Sequence, residues 1–308
     1  MIEVEETFDL VFSRPLGLLL AKAGIKLNLT PIQVSFLSLI SGSIGGVMLY
    51  FQDSFTTIII ADLLIILSGL FDSADGQLAR MTNQSTKWGR LVDGVIDNIV
   101  FIFMYHGGGL YYLPEHGYIL FPIGYISGFL HTIKISVYEF YKSEFLYYVS
   151  GDEDYEIPPH DELKETFPRE TLSQRIIYYL YYDFVRKQTK LSFRPLERRK
   201  RFKAWSQNPD TQGHFRKLYK KHNTPMLTWW VLLSSTNTHR TLMMLSALFV
   251  VFDYYFLFNY VTILFFPAIG LLQRKRDKLL EEEMQTHLVK VGHFQRNKQH
   301  ILESVPAE

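Results

Sequence analysis

Residues 55–71, FTTIIIADLLIILSGLF, hold one formal charge in seventeen positions. A helix that crosses a membrane needs about 20 mostly apolar residues, and this run approaches that length. Five more such runs bring the expected crossings to six, at about 31–51, 54–73, 90–112, 117–138, 239–256 and 258–273. Backbone N–H and C=O groups find no water in hydrocarbon, so these crossings must be helices. The expected fold class is an all-α integral membrane protein with six transmembrane helices. An N-terminal interfacial amphipathic helix precedes them, and a cytoplasmic insert separates helices 4 and 5. The mean hydropathy of the 308 residues, +0.02, averages these runs with strongly charged stretches and conceals both.

Charge placement gives the expected orientation. With both termini cytoplasmic, the outward loops 51–54, 112–118 and 252–258 contain no Lys or Arg. The basic stretches FRPLERRKRFK (193–203) and QRKRDK (273–278) then lie inside, as the positive-inside rule requires. The expected location is the inner (cytoplasmic) membrane of a prokaryote. A net charge of +1 offers no field for nucleic acid, so no nucleic-acid partner is expected. The absence of cysteine excludes disulfides, thiolate metal sites and a cysteine nucleophile. The acidic start, MIEVEETFDLVFSRP, does not read as a signal peptide.

The chain divides into five parts. Residues 1–30 hold the interfacial helix, expected over 5–27, and 31–139 hold helices 1–4 with a polar motif at 72–97. The insert spans 140–238, helices 5 and 6 span 239–273, and a charged tail spans 274–308. Thr30 reads as an N-cap and Pro31 as the first helical residue of the first crossing. In the insert, SGDEDYEIPPHDE reads as a polar loop and TLSQRIIYYLYYDFVRK as a helix with a wide aromatic face. Such an insert is either a helical cap over the motif, the favoured reading, or a surface resting on anionic headgroups.

The motif is DSADGQLARMTNQSTKWGRLVDGVID, residues 72–97. Asp72 and Asp75 are about 60° apart around a helix axis, and Asp93 and Asp97 about 40° apart on the next helix. If the two helices are neighbours, four carboxylates converge. Unpaired, they would repel one another, and divalent cations such as Mg²⁺ or Mn²⁺ are their natural partners. Two ions about 4 Å apart would clamp a phosphoryl centre for in-line displacement. Gly76 and Ala79 share the side of Asp72 and Asp75, and Gly89 precedes Asp93. These small residues leave room for a bulky ligand, and Arg80 adds a fixed positive charge. An EF-hand loop fits poorly, because the alternating ligands and the closing Glu are missing. A lone D-x-x-D at a helix end is usually only solvated. The motif here is longer: D-x-x-D-G-x-x-A-R, eight residues, then G-x-x-x-D-x-x-x-D.

That pattern resembles the signature of the CDP-alcohol phosphotransferase family, integral membrane enzymes of phospholipid synthesis. Asp72, Asp75, Gly76, Ala79, Arg80, Gly89, Asp93 and Asp97 fill every position of it. The stretch SRPLGLLLAKAGIKLNLTPIQVS is also similar to the family's interfacial helix and Thr-Pro entry, with Ile32 where Asn is frequent. The resemblance covers about residues 10–140, and the insert departs from compact members. It implies a CDP-linked donor whose diphosphate lies on two divalent ions, with CMP as leaving group. It also implies that Asp72, Asp75, Asp93 and Asp97 ligate metal and that Asp97 is the general base. Gly76 and Ala79 would contact the cytidine, Arg80 would orient the site, and the family's assembly implies a homodimer.

Two subclasses share such a signature. One transfers a phosphatidyl group from CDP-diacylglycerol to a small polar alcohol. The other transfers phosphocholine or phosphoethanolamine from its CDP ester to diacylglycerol. A phosphorylated acceptor such as inositol phosphate or glycerol phosphate needs cations beside the metals. Candidates are His131, Lys134, His239 and Arg240, with Lys134 and Arg240 favoured. They tip the reading towards the first subclass. The competing explanation makes them positive-inside anchors that snorkel to the interface. Asp62 and His106 fall deep in the bilayer and are expected to pair with each other or with water. Gly42, Gly45 and Gly46 are expected to allow close helix packing. A cation transporter is the remote alternative, but it needs a polar track that the crossings do not offer. A metal-stabilised scaffold could dispense with Asp97, which is present here.

Overall fold

The computed structural model describes residues 9–85, 87–157 and 169–303. Among them all regular secondary structure is helical. Residues 1–8 of the N-terminal segment, 158–168 of the polar loop and 304–308 of the tail lie outside the described residues.

Helix α1 (Arg14–Lys26) buries Gly17, Ala21 and Gly24 and exposes Leu19 and Ile25. The small face packs on α3 (Phe55–Met81), where Ala21 meets Ala74 and Leu78. Helix α2 (Pro31–Met48) begins with a capping box, Thr30 and Gln33 each accepting from the other's backbone N–H. Its two faces invert the usual soluble pattern. Phe36, Ile40, Ile44 and Val47 point outward, whereas Ser35, Ser38, Ser41, Gly42, Gly45 and Gly46 are buried. In hydrocarbon an exposed Ile costs nothing, and small residues let helix backbones approach. A Cβ on Gly107 of α4 (Lys87–Leu110) would lie 1.8 Å from the Gly46 carbonyl oxygen, so the α2–α4 crossing requires glycine there.

Helix α5 (Leu120–Phe145) follows, and the insert comprises α6 (Leu172–Leu191), α7 (Leu196–Gln207) and α8 (Gln212–Ser234). Helices α9 (Thr236–Leu248) and α10 (Phe252–Glu303) complete the chain. Among the described residues four segments are long and apolar enough to cross a membrane: Pro31–Met48, Phe55–Met81, Leu113–Ser150 and Phe252–Lys290. Two of the six expected crossings do not meet that standard. In α4, the residues Asp93, Asp97, Asn98 and His106 dilute the apolar character. The thirteen residues of α9 reach about 20 Å at 1.5 Å per residue, short of a bilayer's hydrocarbon core. Both nevertheless pack among the others: Val100, Phe101 and Met104 of α4 and Met243 and Ala247 of α9 share one apolar core with Phe252, Tyr255 and Phe256 of α10.

The expected Asp62–His106 pair does not form. His106 Nδ1 lies 2.8 Å from the Ile102 carbonyl oxygen and its Nε2 3.3 Å from the Tyr125 hydroxyl. Its neighbour in space is therefore α5, and Asp62 stays buried with Oδ1 unpartnered among the described residues.

Several side chains tie the insert to the bundle, among them Arg198 and Arg201 on Glu281, Trp230 on Gln273 and, the most deeply buried of these arginines, Arg194. Arg194, fully buried in the link between α6 and α7, uses all five N–H donors. They reach Asp277 (2.8 and 2.6 Å), Glu144, the Tyr219 hydroxyl (2.7 Å) and Asn223 Oδ1 (3.0 Å). The guanidinium carbon also lies over the rings of Tyr141, Phe202 and Tyr219, at 5.1–5.3 Å. Burial alone would pull its pKa down, but Asp277, Tyr219 and Glu144 more than reverse this and hold it above the ordinary arginine value. Removing one partner of a buried charge cluster leaves the others uncompensated and costs about 3–5 kcal/mol. Arg194→Gln should therefore lower the unfolding midpoint in detergent sharply, whereas Lys200→Gln, on the exposed face of α7, should leave it near wild type. Thermal unfolding followed by circular dichroism measures both.

Candidate active site

Helix α3 carries Asp72 and Asp75 in its last three turns and ends at Met81. It is closed by Asn83 in the left-handed conformation (φ 55°), with Asn83 N–H bonded to the Arg80 carbonyl and Gln84 N–H to the Ala79 carbonyl at 2.8 Å. Asparagine tolerates this geometry, and the pair of bonds is the Schellman arrangement that stops a helix sharply. The chain then turns back into α4, so Asp93 and Asp97, in its first turns, come alongside the end of α3.

One carboxylate oxygen from each of Asp72, Asp75 and Asp93 lies within 4.8 Å of the others. Ser35, one turn into α2, donates its hydroxyl to Asp75 Oδ2 and thereby orients that carboxylate. Asp93 Oδ1 is buried without a hydrogen-bond partner among the described residues. A buried acceptor left unsatisfied carries an uncompensated desolvation cost. The donor set is all carboxylate oxygen, which suits a hard cation such as Mg²⁺ or Mn²⁺. The residues present therefore fit a divalent ion.

Asp97 is placed differently. Its Oδ1 accepts from Arg240 Nη2 at 3.1 Å. Arg240 rises from the first turns of α9 into a notch on α3, where a Cβ on Gly69 would come within 2.3 Å of Arg240 Nη1. The guanidinium is buried and its Nε has no partner among the described residues.

Asp72, Asp75, Asp93 and Asp97 line one cavity of about 2010 Å³ together with Gly76, Ala79, Arg80, Gly89 and Arg240. A Cβ on Gly76 would meet nothing closer than the Arg80 guanidinium, at 3.7 Å, so the helix surface beside Asp75 is open to a ligand. The opposite wall comes from α5 and from the insert, including Tyr181, Lys187 and Lys203.

Three of the four residues read as acceptor ligands lie elsewhere. Lys134 is fully buried and donates to Thr262 Oγ1 at 2.7 Å. The rings of His131 and His239 lie with centroids 3.9 Å apart and planes tilted by 31°, His131 Nδ1 lying 3.2 Å from the Tyr105 hydroxyl and His239 Nδ1 2.7 Å from the Tyr255 hydroxyl. None of the three lines the cavity. On α5 the cavity face carries Thr132, Ser136 and Glu139, and Lys134 lies about 200° round the axis from Thr132. Sequence reasoning missed Glu139 and Lys142, an ion pair at 3.1 Å that does line the cavity. They fall beyond the expected end of the fourth crossing at 138, and α5 runs on to Phe145. Ser35 and Gly69 were also missed. Each acts through a contact between helices, and neither carries a signal within its own segment.

Residues 28–140 match the model of the CDP-alcohol phosphatidyltransferase family. The matched stretch contains α2, α3 and α4, most of α5 and all four aspartates of the motif. Over 107 residues the chain is 31% identical to an uncharacterized protein of Aquifex aeolicus (strain VF5), covering 34% of this chain. It spans about half, 53%, of the length of that curated relative. No solved structure matches the chain.

The carboxylate cluster makes a direct prediction. Asp93→Asn should abolish Mn²⁺ binding by the purified protein, read by electron paramagnetic resonance. Ser35→Ala removes only the group that orients Asp75 and should weaken binding about 10–100-fold. Equal affinity in all three proteins would show that the ion binds elsewhere.

Proposed function

We propose that this chain is a phospholipid-synthesising membrane transferase. In this reading it moves a phosphatidyl group from CDP-diacylglycerol to a small polar alcohol, such as inositol phosphate or glycerol phosphate, and releases CMP. The observation that carries the reading is the convergence of Asp72, Asp75 and Asp93 in a cavity that also holds Asp97 and the open Gly76 surface. The match of residues 28–140 to the CDP-alcohol phosphatidyltransferase family supports it.

The roles follow from position. Asp72, Asp75 and Asp93 would hold Mg²⁺ or Mn²⁺, with Asp97 near a second ion, and the ions when bound would neutralise the donor diphosphate. Gly76 and Ala79 present a surface without bulk on which the cytidine can lie, with Gly89 opposite and Arg80 orienting the nucleotide. The acceptor hydroxyl oxygen bonds to the phosphorus that carries the lipid. The bond from that phosphorus to the oxygen retained by CMP breaks, and the acceptor proton passes to Asp97. Arg240 fixes the direction of the Asp97 carboxylate from the far side. Arg240 and Lys142 are the cavity cations best placed for an acceptor phosphate, and Lys134, His131 and His239 support the helices behind them.

In the membrane we read α4 and α9 as completing a six-helix bundle with α2, α3, α5 and α10. Both termini and the cavity then face the cytoplasm of a prokaryote, with the insert as a cap and a homodimer as the assembly. The concentration of Lys and Arg in 193–203 and 273–278 supports this orientation.

CMP release from CDP-diacylglycerol, CDP-choline and CDP-ethanolamine across a panel of acceptors, with Mg²⁺ or Mn²⁺, tests the reading. Turnover should require CDP-diacylglycerol and a polar alcohol. Release from CDP-choline with diacylglycerol would instead establish the other transfer direction, and no CMP from any donor would sink the enzyme reading. Asp97→Asn should lower kcat about 10²–10⁴-fold while sparing donor binding, as loss of a general base does.

A further inference from the structure

Among the described residues three glutamines are buried, Gln52, Gln188 and Gln273. A buried amide has two N–H donors and a carbonyl acceptor to satisfy. Two of the three are saturated. Gln52 donates to the Leu49 and Gly108 carbonyls at 2.9 and 3.1 Å and accepts from the Tyr112 hydroxyl at 3.2 Å. Gln273 donates to Asn223 Oδ1 and Asp277 Oδ1 at 2.8 and 2.9 Å and accepts from Trp230 Nε1 at 3.2 Å. Gln188, in the last turn of α6, is only 3% exposed, yet its amide has no hydrogen-bond partner among the described residues. It is also the one of the three that lines the acidic cavity.

Packing gives no reason for an amide at this position. Leu180 and Phe184 precede Gln188 at four-residue intervals and line the cavity with it, so the three form one row along α6. A leucine would complete that row without the cost of withdrawing an unpaired amide from water. The amide is therefore placed for what enters the cavity.

The chemistry of the wall narrows what that is. An amide offers donors and an acceptor side by side, and a hydroxyl, which also does both, is its match. A phosphate oxygen only accepts, and would leave the amide oxygen facing another acceptor. The lysines that the insert brings to this wall are already neutralised, Lys187 by Asp183 and Lys203 by Glu156, both at 2.5 Å. An amide beside closed ion pairs suits the hydroxyls of a polyol. The open surface for a nucleotide, beside Gly76, lies on α3 in the opposite wall.

We propose that Gln188 is a specificity-determining residue for the acceptor, its amide hydrogen-bonding a hydroxyl of a polyhydroxylated alcohol other than the one that attacks phosphorus. This rests on the transferase reading and adds to it that the insert, which lies outside the family match over 28–140, selects the acceptor. The phosphate of a phosphorylated acceptor stays with Arg240 and Lys142.

The test compares acceptors within one preparation. The full chain in lipid nanodiscs is given CDP-diacylglycerol, Mg²⁺ and either glycerol phosphate, inositol phosphate or free inositol, and CMP release is followed. Each acceptor that turns over is then set against analogues lacking one non-attacking hydroxyl: 3-hydroxypropyl phosphate for glycerol phosphate, the monodeoxyinositols or their phosphates for the other two. The wild-type protein should favour the intact acceptor over at least one analogue by about tenfold in kcat/KM, the factor of one neutral hydrogen bond. Gln188→Met, of similar length but without the amide, should abolish that preference by raising the KM of the intact acceptor, with the KM for CDP-diacylglycerol unchanged. Gln212→Met, exposed at the start of α8, should keep the wild-type preference. A ratio taken within one protein is independent of how much of it is folded. An unchanged ratio in Gln188→Met would overturn the assignment, as would a wild-type protein indifferent to every deleted hydroxyl. Loss of turnover with analogue and intact acceptor alike would show a part in the fold or the chemistry rather than in selection, and would equally overturn it. A raised KM for CDP-diacylglycerol with the acceptor ratio intact would place Gln188 on the nucleotide and overturn it too. A wild-type protein that releases CMP with none of the three acceptors would sink the transferase reading itself, and this inference with it.

Discussion

Three carboxylates within 4.8 Å of one another set the terms for the structure around them. Negative charges so close, and withdrawn from bulk water, repel strongly unless a cation joins them. The fold keeps them together all the same. Asn83 ends α3 just beyond its aspartates, glycines let α2 close on α4, and Ser35 is carried to Asp75 one turn into α2. Each of these devices holds negative groups near one another at a cost that a bound cation would offset, and costs of this kind gather at functional sites.

Asp97 meets the negative charge around it with a fixed counter-charge. Arg240 reaches it across the bundle from α9, through the space that Gly69 leaves on α3. Two carboxylates one helical turn apart thus have different neighbours: Asp93 has an orphaned oxygen facing other acids, whereas Asp97 has a fixed guanidinium. A difference in environment between otherwise identical groups is how a protein divides roles among them.

Much of this was legible in the sequence where the signal is local. Asp72, Asp75, Asp93 and Asp97 sit at helical spacings within one stretch; the structure brings the first three within 4.8 Å of one another and sets Asp97 on the wall of the same cavity, beside Arg240. Thr30 and Pro31 announced the start of α2 through local hydrogen bonding, and the structure begins the helix at Pro31. Local signals fail where the three-dimensional partner decides. Lys134 looked like a ligand because basic residues at inner helix ends are conspicuous, yet the rotation of α5 turns it towards Thr262. His106 faced Tyr125 rather than Asp62 because the helix opposite it is α5. The boundary between α9 and α10 is a backbone turn at Val250 (φ 55°), inside an apolar stretch that gives no local sign of it.

The guanidinium of Arg194 bears on how the protein comes apart as well as on how it holds. Its partners come from three separate places in the chain, Glu144 at the end of α5, Tyr219 and Asn223 in α8, and Asp277 in α10, and Arg194 itself, in the link between α6 and α7, makes a fourth. Opening any one of these segments strands buried charge in the other three. Local openings are here coupled, so the helices of the insert and the part of α10 around Asp277 should exchange their amide protons as a single unit. A region that looks from sequence like an addition of nearly a hundred residues is, energetically, inseparable from the last helix.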